Sequence, residues 1–170
     1  MTFNTRQLIL GGLFIALGVI VPILFHMVGL GSFMLPMFWP LCLGAFFLSP
    51  MLSILIGILT PLVSMLLTGM PPAPISYLMA PELAAACGLI SVLRMKTGLG
   101  SFWILMTGLL ASWAVMFVLT AGLAPLIGLP GRTAGVVRIL KGLPGLLTML
   151  VLLPFLLARM KKQPVFRNRV

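Results

Sequence analysis

The chain has 170 residues, of which 61% are hydrophobic and 7% are charged. Soluble domains carry about 25% charged residues, so this chain lacks the polar side chains to cover a water-facing surface, and its hydrophobicity also excludes disorder. We therefore predict an all-α membrane protein, because helices satisfy their own backbone hydrogen bonds in lipid. The formal net charge of +10 is better explained by loop charges that orient the chain than by nucleic-acid binding.

Six apolar segments, separated by glycine, proline and charged residues, predict six transmembrane helices in a single domain over residues 1–170. The predicted spans are about 7–25, 34–49, 51–68, 77–93, 102–122 and 133–158. The first segment is longer than the apolar region of a signal peptide, which predicts an uncleaved span. Prolines inside the second, third and fourth segments predict kinked helices with short connections.

Charged residues predict the orientation of these spans, because Lys and Arg collect on cytoplasmic loops. With the N-terminus inside, eight basic residues fall on the cytoplasmic side and only Arg132 falls in an outer loop. The eight are Arg6, Arg94, Lys96, Arg159, Lys161, Lys162, Arg167 and Arg169. We therefore expect both termini to be cytoplasmic, as an even number of spans requires.

Three ionisable residues, Glu82, Arg138 and Lys141, fall inside predicted spans or at their outer ends. Charge is costly in hydrocarbon, so such residues are functional candidates. If helical, Glu82 lies about 18 Å and Lys141 about 27 Å from the cytoplasmic arginine of the same span, in the outer half of the membrane. We expect all three to face an outward-opening pocket. Two alternatives stay open: Arg138 and Lys141 snorkel to the headgroups, or Glu82, which follows Pro81, caps a helix.

Four further residues are candidates for the same pocket. His26 ends the first span on the outer side, where it contacts a solute or lies at the interface. Trp39 and Tyr77 either stack on a flat ligand or belong to the aromatic belt of the membrane. Met70 lies in the uncharged connection after the third span.

Enzyme chemistry has little support in this composition. The chain has no Asp, one Glu and one His, which excludes paired carboxylates and a Ser-His-Asp triad. It also has no glycine-rich phosphate loop, so we expect no ATP hydrolysis by the chain itself. Cys42 and Cys87 lie in apolar runs without ligand partners. We predict no metal site, no disulfide and no cofactor.

The segment from Gly31 to Leu93 carries four distinctive motifs. They are LPM-x-x-P at the start of the second span, a Ser-Pro turn into the third, P-x-x-S-x-x-x-TGMPP at its outer end and ELAAACGL in the fourth. In these motifs the chain resembles the substrate-binding S components of energy-coupling factor (ECF) transporters. Phe38 stands where similar sequences tend to carry histidine.

This resemblance implies a six-helix subunit in a prokaryotic plasma membrane that captures a vitamin or related micronutrient near the extracellular side. Such subunits dock on a transmembrane coupling subunit that works with two cytoplasmic ATPase subunits. A small-residue motif in the first span often forms the docking face. Gly12 and Ala16 have its spacing, with glycine in place of the first alanine.

We expect a subunit that binds a small anionic nutrient, with Arg138 or Lys141 holding the anion. Glu82 would accept hydrogen bonds or fix Lys141, and Trp39 or Tyr77 would line the apolar part. A stand-alone secondary transporter and a non-transporting membrane scaffold remain the alternatives.

Overall fold

A computed structural model describes residues 4–123 and 132–161, apart from the side chains of residues 32, 123, 132–139 and 161. Every regular element in these ranges is a helix. The helices are α1 Thr5–Met27, α2 Gly31–Met34, α3 Phe38–Ala45, α4 Pro50–Thr68, α5 Ile75–Lys96, α6 Ser101–Leu123 and α7 Arg132–Lys161. Within this described part, five helices (α1, α4, α5, α6 and α7) are long and apolar enough to cross a membrane. The chain is an all-α, multi-pass membrane protein.

The expected second span over 34–49 is not one helix. It is divided into the end of α2 and the eight-residue α3, because Leu35 adopts a left-handed conformation (φ 47°, ψ 51°) between them. Pro36 follows, and a residue before proline disfavours the α conformation. Eight residues rise only about 12 Å, against a hydrocarbon core of about 30 Å. The prolines of this segment predicted a kinked helix, and the structure instead has a break between two short helices.

Close glycine contacts define the directions of the helices. A β-carbon placed on Gly11 would lie 3.6 Å from Ile56, and one on Gly18 would lie 2.6 Å from Thr60. Gly18, which comes later in α1 than Gly11, contacts Thr60, which comes later in α4 than Ile56. The two helices are therefore parallel. The segment 28–49, which includes α2 and α3, therefore returns from the end of α1 to the start of α4.

The short helix α3 lies in the centre of the bundle. Its side chains and those of the following turn form much of the core. The residues that are fully or almost fully buried are Phe38, Leu41, Cys42, Ala45, Phe46, Phe47 and Leu48. Side chains of α5 donate to two backbone carbonyls of the turn that follows α3. The Ser91 Oγ donates to the carbonyl of Leu48 at 2.7 Å, and the Arg94 guanidinium donates to the carbonyl of Phe46.

The ends of α4 and α5 follow from local sequence. Pro50 occupies the first turn of α4, where its missing N–H is tolerated. Gly69 ends α4 in the left-handed conformation (φ 71°) and donates its N–H to the carbonyl of Met65 at 2.9 Å. Helix α5 begins at Ile75, two turns before Glu82. The interpretation of Glu82 as a first-turn cap is therefore wrong.

Candidate functional site

A cavity of 580 Å³ lies at the end of the bundle where α1 and α4 end and α5 begins. Its described lining comes from α1, from α2 and the turn into α3, from α4 and the loop after it, and from α5 and α7. The lining residues are Pro22, His26, Gly31, Leu35, Pro36, Met37, Phe38, Ser64, Met70, Pro71, Pro72, Ile75, Met79 and Lys141. Three separate stretches of sequence thus enclose one space.

One wall of the cavity is α2 with the turn that follows it. Two glycines of α7 allow this turn to approach closely: a β-carbon on Gly142 would lie 3.2 Å from Leu35, and one on Gly145 would lie 2.7 Å from the Cα of Met34. From the other side, the Trp39 indole N–H donates to the Met34 carbonyl at 2.9 Å. The wall is therefore held by α7 and by the first turn of α3.

Another wall of the cavity is the loop between α4 and α5. The Ser64 Oγ donates to the carbonyl of Met70 at 2.7 Å, and the Thr68 Oγ1 lies 3.2 Å from both the carbonyl and the N–H of Met70. These bonds turn the loop back over the end of α4. Met70 consequently lines the cavity together with the two prolines that follow it.

The polar side chains of the described lining are His26, Ser64 and Lys141. The imidazole of His26 lies directly against Gly31, where a β-carbon would overlap it. Lys141 precedes Gly142, the residue that packs on Leu35. No carboxylate belongs to this described lining, and the only acidic residue of the chain is Glu82. Such a set can hold an anion through positive charge and N–H donors.

Three predicted site residues, His26, Met70 and Lys141, line the cavity. They come from α1, from the loop after α4 and from α7, so the fold brings together residues that are far apart in sequence. Glu82 is only 3% exposed and does not belong to the described lining. It lies three residues beyond Met79 on the same side of α5, about 4.5 Å deeper in the bundle.

The remaining predicted residues lie elsewhere. Trp39 lines a second, apolar cavity of 210 Å³ formed by residues of α1, α3 and α7. Tyr77 is 57% exposed on α5 and is not among the described residues of the first cavity. Arg138 lies in α7, and its side chain is outside the described part. The ligand-binding roles of Glu82, Trp39, Tyr77 and Arg138 stay predictions.

Sequence reasoning missed several lining residues. Gly31 gave no signal, because its contact with the His26 ring exists only in the folded chain and not in a sequence motif. Pro22 precedes His26 by four residues, and this helical spacing does place the two on one face. Ser64 is the serine of the P-x-x-S-x-x-x-TGMPP motif, so its position at the loop could have been expected.

Helix α1 presents two different faces of small residues. Gly11 and Gly18 face α4 at the short distances given above. Gly12 and Ala16 are exposed, and a β-carbon on Gly12 would meet nothing within 4 Å among the described residues. The first face is used inside the bundle, while the second is open.

Comparison with models of protein families, with curated proteins and with solved structures finds no match to this chain. Its function is therefore inferred from its residues and from the cavity they form.

Proposed function

We propose that this chain is the substrate-capturing S component of an ECF-type importer, and that it binds a small anionic vitamin or related micronutrient from outside the cell. The observation that carries the proposal is the 580 Å³ cavity lined by His26, Met70 and Lys141. Small-molecule sites occupy about 300–1,000 Å³ and combine apolar walls with a few polar groups. This cavity has both properties.

The proposal includes six passes through a prokaryotic plasma membrane, with both termini cytoplasmic. The parallel directions of α1 and α4 support it, because the segment that holds α2 and α3 then makes the sixth pass. Arg6, Arg94, Lys96 and Arg159 lie at the bundle end opposite the cavity. The positive-inside rule assigns that end to the cytoplasm, so the cavity opens outward.

Each candidate residue has a role in this proposal. Lys141 and Arg138 hold the anionic group, and His26 donates a hydrogen bond to it. Met70 contributes an adaptable apolar surface. Glu82 accepts hydrogen bonds beneath the ligand or fixes Lys141, and Trp39 and Tyr77 line its apolar part if the binding site extends to them.

We further propose that a transmembrane coupling subunit docks on the exposed face of α1 that holds Gly12 and Ala16. Small residues let helix backbones approach closely within a membrane. Two cytoplasmic ATPase subunits then hydrolyse ATP, and the chain itself is not an enzyme.

Co-purification tests the proposal. The protein is extracted from its native membrane in mild detergent, through an affinity tag without histidine, and attached proteins and small molecules are identified by mass spectrometry. We expect two ATPase subunits, one membrane subunit and a bound anionic micronutrient.

Variants with one added side chain show whether docking uses the proposed face. Gly12→Leu is expected to reduce recovery of the partner subunits at least severalfold. Gly122→Leu is the matched control, because Gly122 is also exposed and a β-carbon on it meets nothing within 4 Å among the described residues. Recovery of a small ligand without an ATPase would contradict the proposal. Proton-driven uptake in vesicles without an ATPase, lost in Glu82→Gln, would instead support a secondary transporter.

A further inference from the structure

We infer that Gly31 is a positioning residue that seats the imidazole of His26, and that His26 and Lys141 form the anion-binding end of the cavity on either side of α2. The ligand is then an anion with an apolar body and without a permanent positive charge. This inference rests on the proposed function, since it specifies how the same cavity selects its substrate.

The need for glycine at position 31 is spatial. Gly31 begins α2 and has no positive φ, so its backbone accepts any L-residue. A β-carbon there would, however, overlap three atoms of the His26 ring. The ring therefore lies directly against Gly31. Although His26 is exposed as a residue, this contact keeps its ring at the cavity.

Lys141 lies at the other end of α2. Gly142, its neighbour, packs on Leu35, and Leu35 follows the last residue of α2. Gly31 and Leu35 are four residues apart, or about 6 Å along a helix. The imidazole and the ammonium thus approach the cavity from opposite ends of the same short helix.

The charge of this end excludes cations. The only acidic residue in the chain is Glu82, and it is outside the described lining. A cationic ligand that moved from water into this end of the cavity would find no counter-charge, and the burial of an unpaired charge is costly. An anion instead meets Lys141 and the N–H of His26. The loop wall of Met70, Pro71 and Pro72 offers apolar contact to the rest of the molecule.

The test uses three probes that share a benzene ring: benzoate, benzamide and benzylamine, which are anionic, neutral and cationic. The chain has one histidine, so the ¹⁵N signals of the imidazole report on His26 alone in protein purified through a histidine-free tag. We expect benzoate to shift them saturably. Benzylamine is expected to bind at least about tenfold more weakly, the ratio that corresponds to about 1.4 kcal/mol.

Variants then separate positioning from general structure, with benzoate affinity measured by calorimetry. Gly31→Ala and His26→Ala are each expected to weaken benzoate binding by a similar factor. The double variant is expected to bind no more weakly than His26→Ala, and to match its Tm, because the clash has been removed. Gly122→Ala is the matched control and should bind benzoate as the unchanged protein does. Lys141→Gln should weaken benzoate binding without a change in Tm.

Several results would overturn the inference: no benzoate shift in the unchanged protein, equal binding of benzylamine, or additive losses in the double variant. If Gly31→Ala does not fold, the double variant and Lys141→Gln still decide the matter. A protein that recovers its ATPase partners but fails these tests refutes the inference alone. Selective benzoate binding without ATPase partners refutes the proposed function alone.

Discussion

The polar side chains at the two ends of the bundle have different surroundings. At the end that holds the last residues of α3 and α5, Ser91 and Arg94 donate to the carbonyls of Leu48 and Phe46, and the surrounding side chains are buried. At the other end, His26 and Lys141 line a cavity. One end uses polar groups to close the fold, and the other presents them to a space large enough for a ligand.

This difference shows how a cavity inside a membrane bundle can be lined with very few polar residues. The closed end fixes α3, whose first residue, Phe38, lines the cavity and is 1% exposed. A solute that enters the cavity therefore meets a packed helix and not a path through the bundle. If the chain is the capturing subunit that we propose, passage of the solute across the membrane would require a rearrangement of this helix.

The largest effect is expected where α4 crosses α5. A β-carbon on Gly57 would lie 2.7 Å from the backbone N of Ala84 and 2.8 Å from its Cα. Backbone atoms cannot turn aside as a flexible side chain can, so Gly57→Ala should lower the free energy of unfolding by about 1–3 kcal/mol. Titration from mild detergent into sodium dodecyl sulfate measures this loss.

Gly122→Ala is the control for that measurement, since open space surrounds the position in the described structure. We expect its free energy of unfolding to change by less than about 0.5 kcal/mol. Equal effects of the two substitutions would show that the close approach of α4 and α5 is not tight.

A smaller loss is expected from Arg94→Ala at the closed end. It removes a charged donor from the carbonyl of Phe46, a residue that is 1% exposed. Hydrogen bonds to charged groups contribute about 1.5–3 kcal/mol, and Arg94 is only partly buried, so we expect about 1.5 kcal/mol. Lys96→Ala, an exposed position on the same helix, should change the free energy by less than about 0.5 kcal/mol. A loss in Lys96→Ala as large as that in Arg94→Ala would mean that the carbonyl contact contributes nothing.

The sharpest comparison of the two ends uses one substitution twice. Ser91→Ala and Ser64→Ala each remove a hydroxyl that donates to a backbone carbonyl at 2.7 Å. Leu48 is 1% exposed and Met70 is 54% exposed, so water can replace the donor only near Met70. We expect Ser91→Ala to cost about 1–2 kcal/mol and Ser64→Ala about 0.5 kcal/mol or less.

Denaturation of both serine variants under identical conditions measures the difference. If Ser64→Ala were the more destabilising, the cavity end would be as tightly closed as the other, and the comparison would fail.

The long helices could be predicted from sequence because apolar runs between glycine, proline and charge specify them directly. The third predicted span, 51–68, differs from α4 by one residue. The second span could not be predicted as the structure has it. The prolines of this segment indicate a bend, but the left-handed conformation of Leu35 accompanies a close approach of Met34 to Gly145, which lies 111 residues away. That long-range contact leaves no trace in the local pattern.

The cavity residues likewise include some that could be predicted from the sequence and some that could not. His26 and Lys141 could be found because a polar residue near the end of an apolar span is conspicuous. Gly31 could not, since its contact with the ring of His26 appears only in the folded structure. Glu82 shows the limit of depth estimates: its level in the bundle was consistent with a pocket residue, but rise per residue does not say which side chains line the cavity.

The central claim is that the cavity opens to the outside and the closed end faces the cytoplasm. A membrane-impermeant maleimide tests it in intact cells with Met70→Cys at the cavity and Lys96→Cys at the closed end. The unchanged protein is the control, because Cys42 and Cys87 are 0% exposed and should not react. We predict that Met70→Cys is labelled in intact cells and Lys96→Cys only after permeabilisation. Labelling of Lys96→Cys in intact cells, with Met70→Cys protected, would contradict the account.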